Sequence, residues 1–314
     1  MDINLENFTV IQDLGKNGMY DCLIAEDENN LKLFIKKTSK YALQDQITRR
    51  CFENELNANK KLDHQNIIIF IDKKVILNDI FLLFEVINGG NLNDYFKEYK
   101  EKYNKPFSEE IVQKIIKQIS SALKYLKEKH IIYRNLGLNH IYLNYENEQP
   151  DISNYDISDA VIKIGNFNFC EMLEENELSH SFIGIPVYMD PNILFNIDSK
   201  NKDKINYEYK VDIWSLGILC YELLVGTTPF DGNDNDELIN NIKKGKYIIP
   251  KKLNLSKETI SFINGMLQYN PNKRFDINEV INHDFLKKNV NDFSHEKFEQ
   301  AEENENEIIL NINI

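Results

Sequence analysis

The cysteines, which could form a disulfide or a zinc site, are few and far apart in this sequence. The four cysteines, Cys22, Cys51, Cys170 and Cys220, include no Cys-x-x-Cys pair. That spacing fits reduced thiols in a cytoplasmic protein better than a disulfide framework or a zinc site. His140 has no cysteine or histidine beside it, so we interpret it as a hydrogen-bonded loop residue and not as a metal ligand. The sequence therefore predicts no metal site and a cytoplasmic location.

Short motifs in a fixed order run along most of the chain. The first are Leu14-Gly15, Lys36, Glu55 and His64-Gln65-Asn66-Ile67. The later ones are Tyr133-Arg134-Asn135-Leu136, Gly165-Asn166-Phe167-Asn168, Gly184-Ile185-Pro186-Val187-Tyr188-Met189-Asp190-Pro191-Asn192, Val211-Asp212-Ile213-Trp214-Ser215-Leu216-Gly217 and Pro271-Asn272-Lys273-Arg274. In this order and near this spacing, the series resembles the eukaryotic protein kinases. The resemblance covers about residues 8–288 and implies the bilobal protein-kinase fold.

The resemblance implies phosphoryl transfer from ATP, yet the positions that would carry it hold other residues. The family's catalytic loop is His-Arg-Asp-Leu-Lys-Pro-Glu-Asn, and the matching segment is 133–140. Asn135 replaces the base aspartate, Gly137 the lysine that contacts the transferring phosphate, and His140 the asparagine that holds the second metal. A carboxamide cannot usefully accept a proton, and losing a general base slows catalysis by about 10²- to 10⁴-fold.

The metal ligand and the phosphate loop of the family are also altered. The metal-binding Asp-Phe-Gly is Asn166-Phe167-Asn168 here, and magnesium prefers carboxylate and phosphate oxygens. In the glycine-rich loop Gly15 is kept, but Asn17 and Tyr20 stand at the second and third glycine positions. A tyrosine there works against close approach of backbone amides to phosphate. We therefore expect no cofactor, with ATP binding weak at most and no magnesium.

Some residues that match the family's nucleotide site are retained, beginning with Gly15. Lys36 and Glu55 match its ion pair between strand and helix, and Glu85 and Val86 match the hinge between the lobes. Lys36 has two interpretations, a structural ion pair with Glu55 or a phosphate-binding lysine. The structural role is preferred, because an ion pair in a retained fold needs no ligand.

Two aromatic residues stand where the family has smaller residues above and below the adenine. The matching segments put Phe34 above this slot and Tyr142 below it. Two rings with centres about 4.5 to 7 Å apart occupy roughly the space of a purine. Because large apolar voids are costly, we expect these rings to fill the pocket. The alternative is that both rings turn aside and leave it open.

The remaining matches indicate structural roles in the larger lobe. Asp212 and Trp214 match the buried helix of the family. The counterpart of Arg274 in kinases pairs with a glutamate, which is Asn192 here. Since an unpaired buried guanidinium is costly, we predict that Asp190 is its partner.

Arg134 has two candidate roles. In kinases that are activated by phosphorylation, the matching arginine pairs with a phosphate, which Ser179 or Ser181 could carry here. With no activity to switch, a structural role is preferred.

The elements that must position these residues fall into two regions. The first holds strand signals and one helical run over residues 44–62. The strand signals are Phe8 to Leu14, Tyr20 to Ala25, Leu31 to Lys36, Ile67 to Ile71 and Ile80 to Val86. From Ser108, a plausible N-cap, the pattern becomes helical. We predict an α+β fold with a small β-rich lobe at about 8–87, a hinge at about 86–90 around Gly89 and Gly90, and a mainly helical lobe at about 91–288.

The net charge and the two ends of the chain limit the partners. A net charge of −13 argues against binding to nucleic acid or anionic membranes. The sequence shows neither a signal peptide nor a membrane span. The acidic tail, 289–314, is expected to be mostly flexible. Its end, Ile308 to Ile314, has alternating apolar residues, which suits addition of a strand to a sheet. Two alternatives remain: this segment docks onto this domain or a partner, or it is a frayed end.

Two functions follow from these residues. The leading hypothesis is a pseudokinase, a non-catalytic scaffold or allosteric partner of other proteins, with an active kinase as one candidate partner. The alternative is a divergent serine/threonine kinase of low activity, with unusual metal use or a different nucleotide transfer. The coordinated loss of base, metal ligands and phosphate lysine favours the first.

Overall fold

The smaller lobe is built on a five-stranded antiparallel sheet in the order β1-β2-β3-β5-β4. In this computed structural model the described residues are 3–146, 156–173, 185–195, 209–295, 302–303 and 306–312. The strands are β1 Phe8–Asn17, β2 Tyr20–Asp27, β3 Lys32–Ser39, β4 Phe70–Ile76 and β5 Asp79–Phe84. Alternating side chains on β2 and β3 point into the lobe, as expected for strands with one buried face.

One helix, α1 Gln46–Asn59, covers the inner face of this sheet. It begins at Asp45, whose side chain accepts a hydrogen bond from the Thr48 N–H at 2.8 Å. Its buried stripe includes Phe52, Glu55 and Leu56. The apolar members of that stripe pack in one cluster with inward-facing residues of the sheet, which places Glu55 opposite β3.

The larger lobe is mainly helical and forms the main hydrophobic core. Its helices are α2 Leu92–Tyr103, α3 Glu109–Glu128, α4 Pro191–Leu194, α5 Lys210–Val225, α6 Asn235–Lys243, α7 Lys257–Met266, α8 Ile277–Asn282 and α9 Asp284–Lys287. Ser108 caps α3, as predicted, and accepts from the Ile111 N–H at 3.4 Å. Helix α5 is buried on nearly all sides, so it has no polar face and acts as the central support of the lobe.

Two pairs of short strands lie where the lobes meet. Strand β6 Ile131–Ile132 pairs with β9 Glu171–Met172, and β7 Ile141–Asn144 pairs with β8 Val161–Ile164. The predicted strand Ile67 to Ile71 is shifted, because β4 begins only at Phe70. Its first residues bond to β8 instead, with the Ile68 N–H donating to the Ile164 carbonyl at 3.0 Å.

The end of the tail is an ordered part of the larger lobe. Strand β12 Glu307–Asn311 pairs antiparallel with β10 Lys246–Pro250, and β11 Glu302–Glu303 lies on its other side. Docking of this segment onto its own domain is therefore confirmed, and the expectation of a flexible tail is wrong for β12. The reason is that Leu310 and Ile312 are buried completely. The polar stretch 144–159, which its sequence predicts to be a surface loop, falls largely at 147–155, outside the described residues.

Candidate functional site

A cavity of about 370 Å³ lies between the sheet and the two lobe-joining strands β7 and β8. Leu14, Ile24 and Phe34 form its upper wall. Residues 84–87, which include the predicted hinge positions Glu85 and Val86, form its side. Other lining residues are Gln12, Lys36, Asn59, Ile68, Gly90, Asn91, Tyr142, Gly165 and Asn166. Its volume is within the range of about 300–1,000 Å³ found for small-molecule sites.

Phe34 and Tyr142 line this cavity but do not fill it, so the prediction of a blocked slot is wrong. The pairing of β3 with β5 sets Phe34 opposite Phe84, and the two rings pack with centres 6.1 Å apart. The Tyr142 hydroxyl accepts a hydrogen bond from Asn166 Nδ2 at 3.2 Å. Burial raises the pKa of Tyr142 to about 12, so its hydroxyl stays neutral. Each ring is held at a wall by its own neighbour.

Lys36 forms the predicted ion pair with Glu55. Lys36 Nζ lies 2.6 Å from Glu55 Oε1, and the two side chains are 5% and 1% exposed. Lys36 Nζ also donates to Asn166 Oδ1 at 2.6 Å. The ion pair ties α1 to the sheet, and the contact with Asn166 ties both to the segment after β8.

Asn135 is held by the chain segment that follows β8. Its Nδ2 donates to the Asn166 carbonyl at 2.7 Å and to Asn168 Oδ1 at 3.1 Å. The side chain is buried, and its Oδ1 has no hydrogen-bond partner among the described residues. A carboxylate could not make these bonds, because an ionised aspartate has no hydrogen to donate.

Neighbouring residues also constrain the other two altered catalytic-loop positions, Gly137 and His140. A Cβ added at Gly137 would lie 3.0 Å from Ile185 Cδ1 and 3.1 Å from a ring carbon of Tyr188, so the space that a lysine needs is crowded. The His140 ring bonds through Nδ1 to the Asn135 carbonyl at 2.9 Å, as expected for a loop residue. Burial lowers the pKa of His140 below its usual range, which favours the neutral ring.

Asn166 has backbone angles of φ 56° and ψ 66°, in the left-handed region. Asparagine is among the residues that adopt this region most readily. Its Oδ1 accepts a hydrogen bond from Lys36, and its Nδ2 donates one to the Tyr142 hydroxyl. The neutral amide adds no charge to the cavity wall. Within the residues that the structure describes, no group of three or more His, Cys, Asp or Glu side chains could hold a metal ion.

Asp212 supports the catalytic-loop segment from below. It accepts from the Tyr133 N–H at 2.9 Å and from the Arg134 N–H at 2.7 Å. Burial raises the pKa of Asp212 to about 6, although the two N–H donors and the nearby Arg134 act in the opposite direction. The Tyr133 ring packs on Phe167 with centres 5.0 Å apart. These contacts anchor the catalytic-loop segment on α5.

Arg274 pairs with Asp190, as predicted from the sequence. Both side chains are almost fully buried, and Arg274 Nε also donates to the Gln268 carbonyl at 2.9 Å. The guanidinium lies over the Trp214 ring, 5.2 Å from its centre. The predicted structural residues of this lobe therefore form one connected unit.

Two contacts were missed at the sequence level. Arg134 Nη1 forms an ion pair with Glu171 Oε2 at 2.6 Å, whereas Ser179 and Ser181 lie outside the described residues. Glu171 is 37 residues away in sequence, and nothing in its neighbourhood marks it as a partner.

The second contact is that of Tyr20, which is buried with its ring 5.2 Å from Lys36 Nζ. The alternation of Tyr20 with Cys22 on one face of β2 was the available signal.

Comparisons with known proteins agree with this geometry. The family described as protein kinase domain matches residues 8–286. The serine/threonine-protein kinase atg1 of Dictyostelium discoideum is 30% identical over 244 residues, which cover 76% of this chain and 32% of that protein. The cell cycle serine/threonine-protein kinase CDC5/MSD2 of Saccharomyces cerevisiae is 28% identical over 271 residues, 86% of this chain and 35% of that protein.

Calcium-dependent protein kinase 5 of Plasmodium berghei is 31% identical over 274 residues, 84% of this chain and 44% of that protein. The chain thus spans less than half the length of each of these three relatives. No helix in the described part of the chain is long and apolar enough to cross a membrane.

Proposed function

Because this chain belongs to the protein kinase family, we propose that it is a pseudokinase, which acts by binding other proteins and not by phosphoryl transfer. The observation that carries the proposal is the hydrogen bonding of the Asn135 side chain. Its amide donates two hydrogen bonds to the segment at Asn166 and Asn168, where a catalytic base would need a free carboxylate. Without that base, the transfer loses the proton acceptor that the family uses for the acceptor hydroxyl.

The proposal includes the absence of magnesium from the working protein and at most weak ATP binding. Asn166 offers a neutral amide oxygen that already accepts from Lys36, and a hard cation gains little from such a ligand. Without a metal, Lys36 is the one cationic side chain, among the described residues that line the cavity, that could meet the charge of a triphosphate.

The proposed partners are proteins, and an active kinase is one candidate. The net charge of −13 favours neither nucleic acid nor an anionic membrane. The four cysteines are all free and buried, which is consistent with a reducing compartment, and we propose a cytoplasmic location.

A serine/threonine kinase of low activity is the second candidate function. It is favoured by the names of the three relatives, all of which are kinases. The intact pair of Lys36 and Glu55 also favours it, because that pair would be needed for phosphate positioning. Those names describe the relatives, however, and this chain has an amide in place of a carboxylate at positions 135 and 166.

The two functions are separated by a phosphotransfer assay on three versions of the full chain. Wild type, Asn135→Asp and Asn166→Asp are incubated with ATP and generic protein substrates, with magnesium and then with manganese. The pseudokinase predicts incorporation at background for all three, because groups that act as a unit are not rescued singly. Transfer by the wild type would establish the second function instead.

A further inference from the structure

A second cavity, of about 440 Å³, lies between helix α3 and the pair α8 and α9 of the larger lobe. It shares no lining residue with the cavity between the lobes. Its lining residues are Lys117, Ser121, Lys124, Ile281, Leu286 and Lys287. Three of these side chains are cationic and, among the described residues that line the cavity, none is acidic. Its volume is within the range of about 300–1,000 Å³ found for small-molecule sites.

Three of the lining residues come from one face of α3. Lys117, Ser121 and Lys124 are four and three residues apart, which places them about 6 Å and about 4.5 Å apart along the helix axis. Residues at these spacings lie on the same side of a helix. Lys287 lines the same cavity from α9. The two helices therefore bring three ammonium groups to one space.

Helix α9 is held against α3 by the side chain of Gln113. Its Nε2 donates to the Phe285 carbonyl and, at 3.0 Å, to the Lys288 carbonyl. The apolar part of the cavity is made by Leu286, which is buried, and by the half-buried Ile281 of α8. Packing and these two hydrogen bonds set the separation of the walls, so the cavity is part of the folded lobe.

The three lysines of this cavity have no ion pair or hydrogen bond within the described part of the chain. Lysines next to the cavity are paired instead. Lys114 pairs with Glu110 at 3.1 Å, and Lys288 pairs with Asp284 at 2.9 Å. The cavity thus concentrates positive charge that the described residues leave uncompensated. Because like charges repel one another, an anion placed among these lysines would lower the electrostatic energy of the site.

Ser121 adds a hydrogen-bond donor between the lysines. The Asn66 N–H donates to His64 Nδ1 at 3.1 Å, so this nitrogen carries no hydrogen. Burial lowers the pKa of His64 below its usual range, which favours a neutral ring with its hydrogen on Nε2. That Nε2 lies 3.2 Å from Ser121 Oγ and donates to it. The Ser121 hydroxyl hydrogen has no acceptor among the described residues and is available to a ligand in the cavity.

The polar groups of the cavity, three ammoniums and one hydroxyl, are all able to donate hydrogen bonds. We propose that this cavity binds a small molecule that carries two or more phosphate groups, because phosphate oxygens accept such bonds and several negative charges are needed to balance three lysines. The net charge of −13 acts only weakly against such a ligand, since charges beyond about 8 Å are screened at physiological ionic strength. A free polyphosphate chain and a phosphorylated ring share this chemistry. The inference goes beyond the proposed function and holds whether or not the chain transfers phosphate.

The test measures the binding of two probes to the full chain by calorimetry, without divalent metal and at physiological ionic strength. Inorganic tripolyphosphate represents the free chain, and inositol hexakisphosphate represents the phosphorylated ring. For the wild type we expect binding of at least one probe, and the tighter one identifies the source. The combined variant Lys117→Gln, Lys124→Gln and Lys287→Gln should bind it at least about tenfold more weakly, because each lost charge weakens the attraction.

Two further variants locate the site. The combination of Lys105→Gln, Lys252→Gln and Lys273→Gln removes the same charge at exposed positions and should leave the affinity within about threefold of wild type. Ser121→Asp keeps the three lysines but gives them a carboxylate to pair with, so it should also weaken binding by at least about tenfold. This variant serves if the combined change of the cavity lysines prevents folding.

Three results with these proteins would overturn the inference. They are no binding of either probe, equal losses in the two combined lysine variants, and wild-type affinity in a folded Ser121→Asp variant. Sodium sulfate that competes at the same concentration as the polyphosphates would reduce the site to a general anion surface and would overturn it as well. A phosphoserine pentapeptide that binds through the cavity lysines, when neither polyphosphate binds, would assign the site to a protein partner and refute the ligand class.

Discussion

Asn135 Nδ2 donates a hydrogen bond to the backbone carbonyl of Asn166 at 2.7 Å. The two asparagines stand where an active kinase of this family would have two aspartates. Here they join two segments of the larger lobe through a donor that a carboxylate lacks. The Asn135 side chain therefore has a structural role that an aspartate could not fill.

The first prediction is that Asn135→Asp destabilises the protein. The new carboxylate would face the Asn166 carbonyl and Asn168 Oδ1 with no hydrogen to donate, at a cost of about 1–3 kcal/mol for the unsatisfied buried groups. Urea denaturation followed by circular dichroism measures the change. Asn272→Asp makes the same change at an exposed position and is the control. A variant Asn135→Asp as stable as that control contradicts the structural role.

The second prediction concerns the buried pair of Arg274 and Asp190. Asp190→Asn keeps an oxygen to cap α4 but removes the charge, which leaves the guanidinium uncompensated and should lower stability by roughly 3–5 kcal/mol. The exposed pair of Glu110 and Lys114 supplies a matched control, since Glu110→Gln should cost less than about 1 kcal/mol. Similar losses of unfolding free energy for Asp190→Asn and Glu110→Gln in denaturant titrations would show that the buried pair contributes no more to stability than the exposed pair.

The third prediction is that the tail strand β12 stabilises the larger lobe. Leu310 is buried completely, and Leu310→Ala should cost about 2–5 kcal/mol from lost burial and the cavity left behind. Ile309→Ala, at a half-buried neighbouring position, should cost clearly less. Thermal and urea unfolding of both variants gives the comparison. If deletion of residues 306–314 leaves stability unchanged, β12 does not contribute.

The fourth prediction is a loss of stability in mild acid that depends on His140. Burial lowers the pKa of His140 in the folded state, so the unfolded state binds its proton more readily. The contribution is present above the usual histidine value of about 6.5 and is lost as the pH falls below it. His140→Asn should therefore show a shallower fall in unfolding free energy between about pH 7 and 5 than the wild type.

The comparison of variants is needed because other groups titrate in the same range. Burial also lowers the pKa of His64 and His283, so His140→Asn removes only part of the acid sensitivity. Asp212, with its pKa raised to about 6, contributes stability that is lost as the pH rises through that value, which opposes the histidines. His295→Asn, at an exposed position, is the control. Parallel pH profiles for wild type and His140→Asn would exclude this role.

The sequence predicted the framework well because its motifs fix contacts between residues far apart in the chain. The pair of Lys36 with Glu55 was implied by the match to the family, and that of Arg274 with Asp190 was predicted because a buried guanidinium needs a partner. The capping of α3 by Ser108 followed from local chemistry alone.

The cavity could not be predicted in the same way. Whether the Phe34 ring fills the slot or lies along a wall depends on the register of β3 with β5, which sets Phe84 beside it. The direction of Tyr20 likewise depends on the hairpin at Gly18 and on space beneath the sheet. Side-chain direction and cavity shape are properties of the packed structure, and residue size alone does not determine them.

The most direct test of the central claim is phosphate incorporation by the wild type against Lys36→Met, side by side, with ATP and manganese or magnesium. Lys36→Met removes the one cation among the described residues that line the site while keeping a side chain of similar length, so any true transfer must fall in this variant. A pseudokinase predicts equal, background incorporation for both proteins with either metal. Incorporation by the wild type that exceeds that of Lys36→Met with either metal would contradict the account and establish an active kinase.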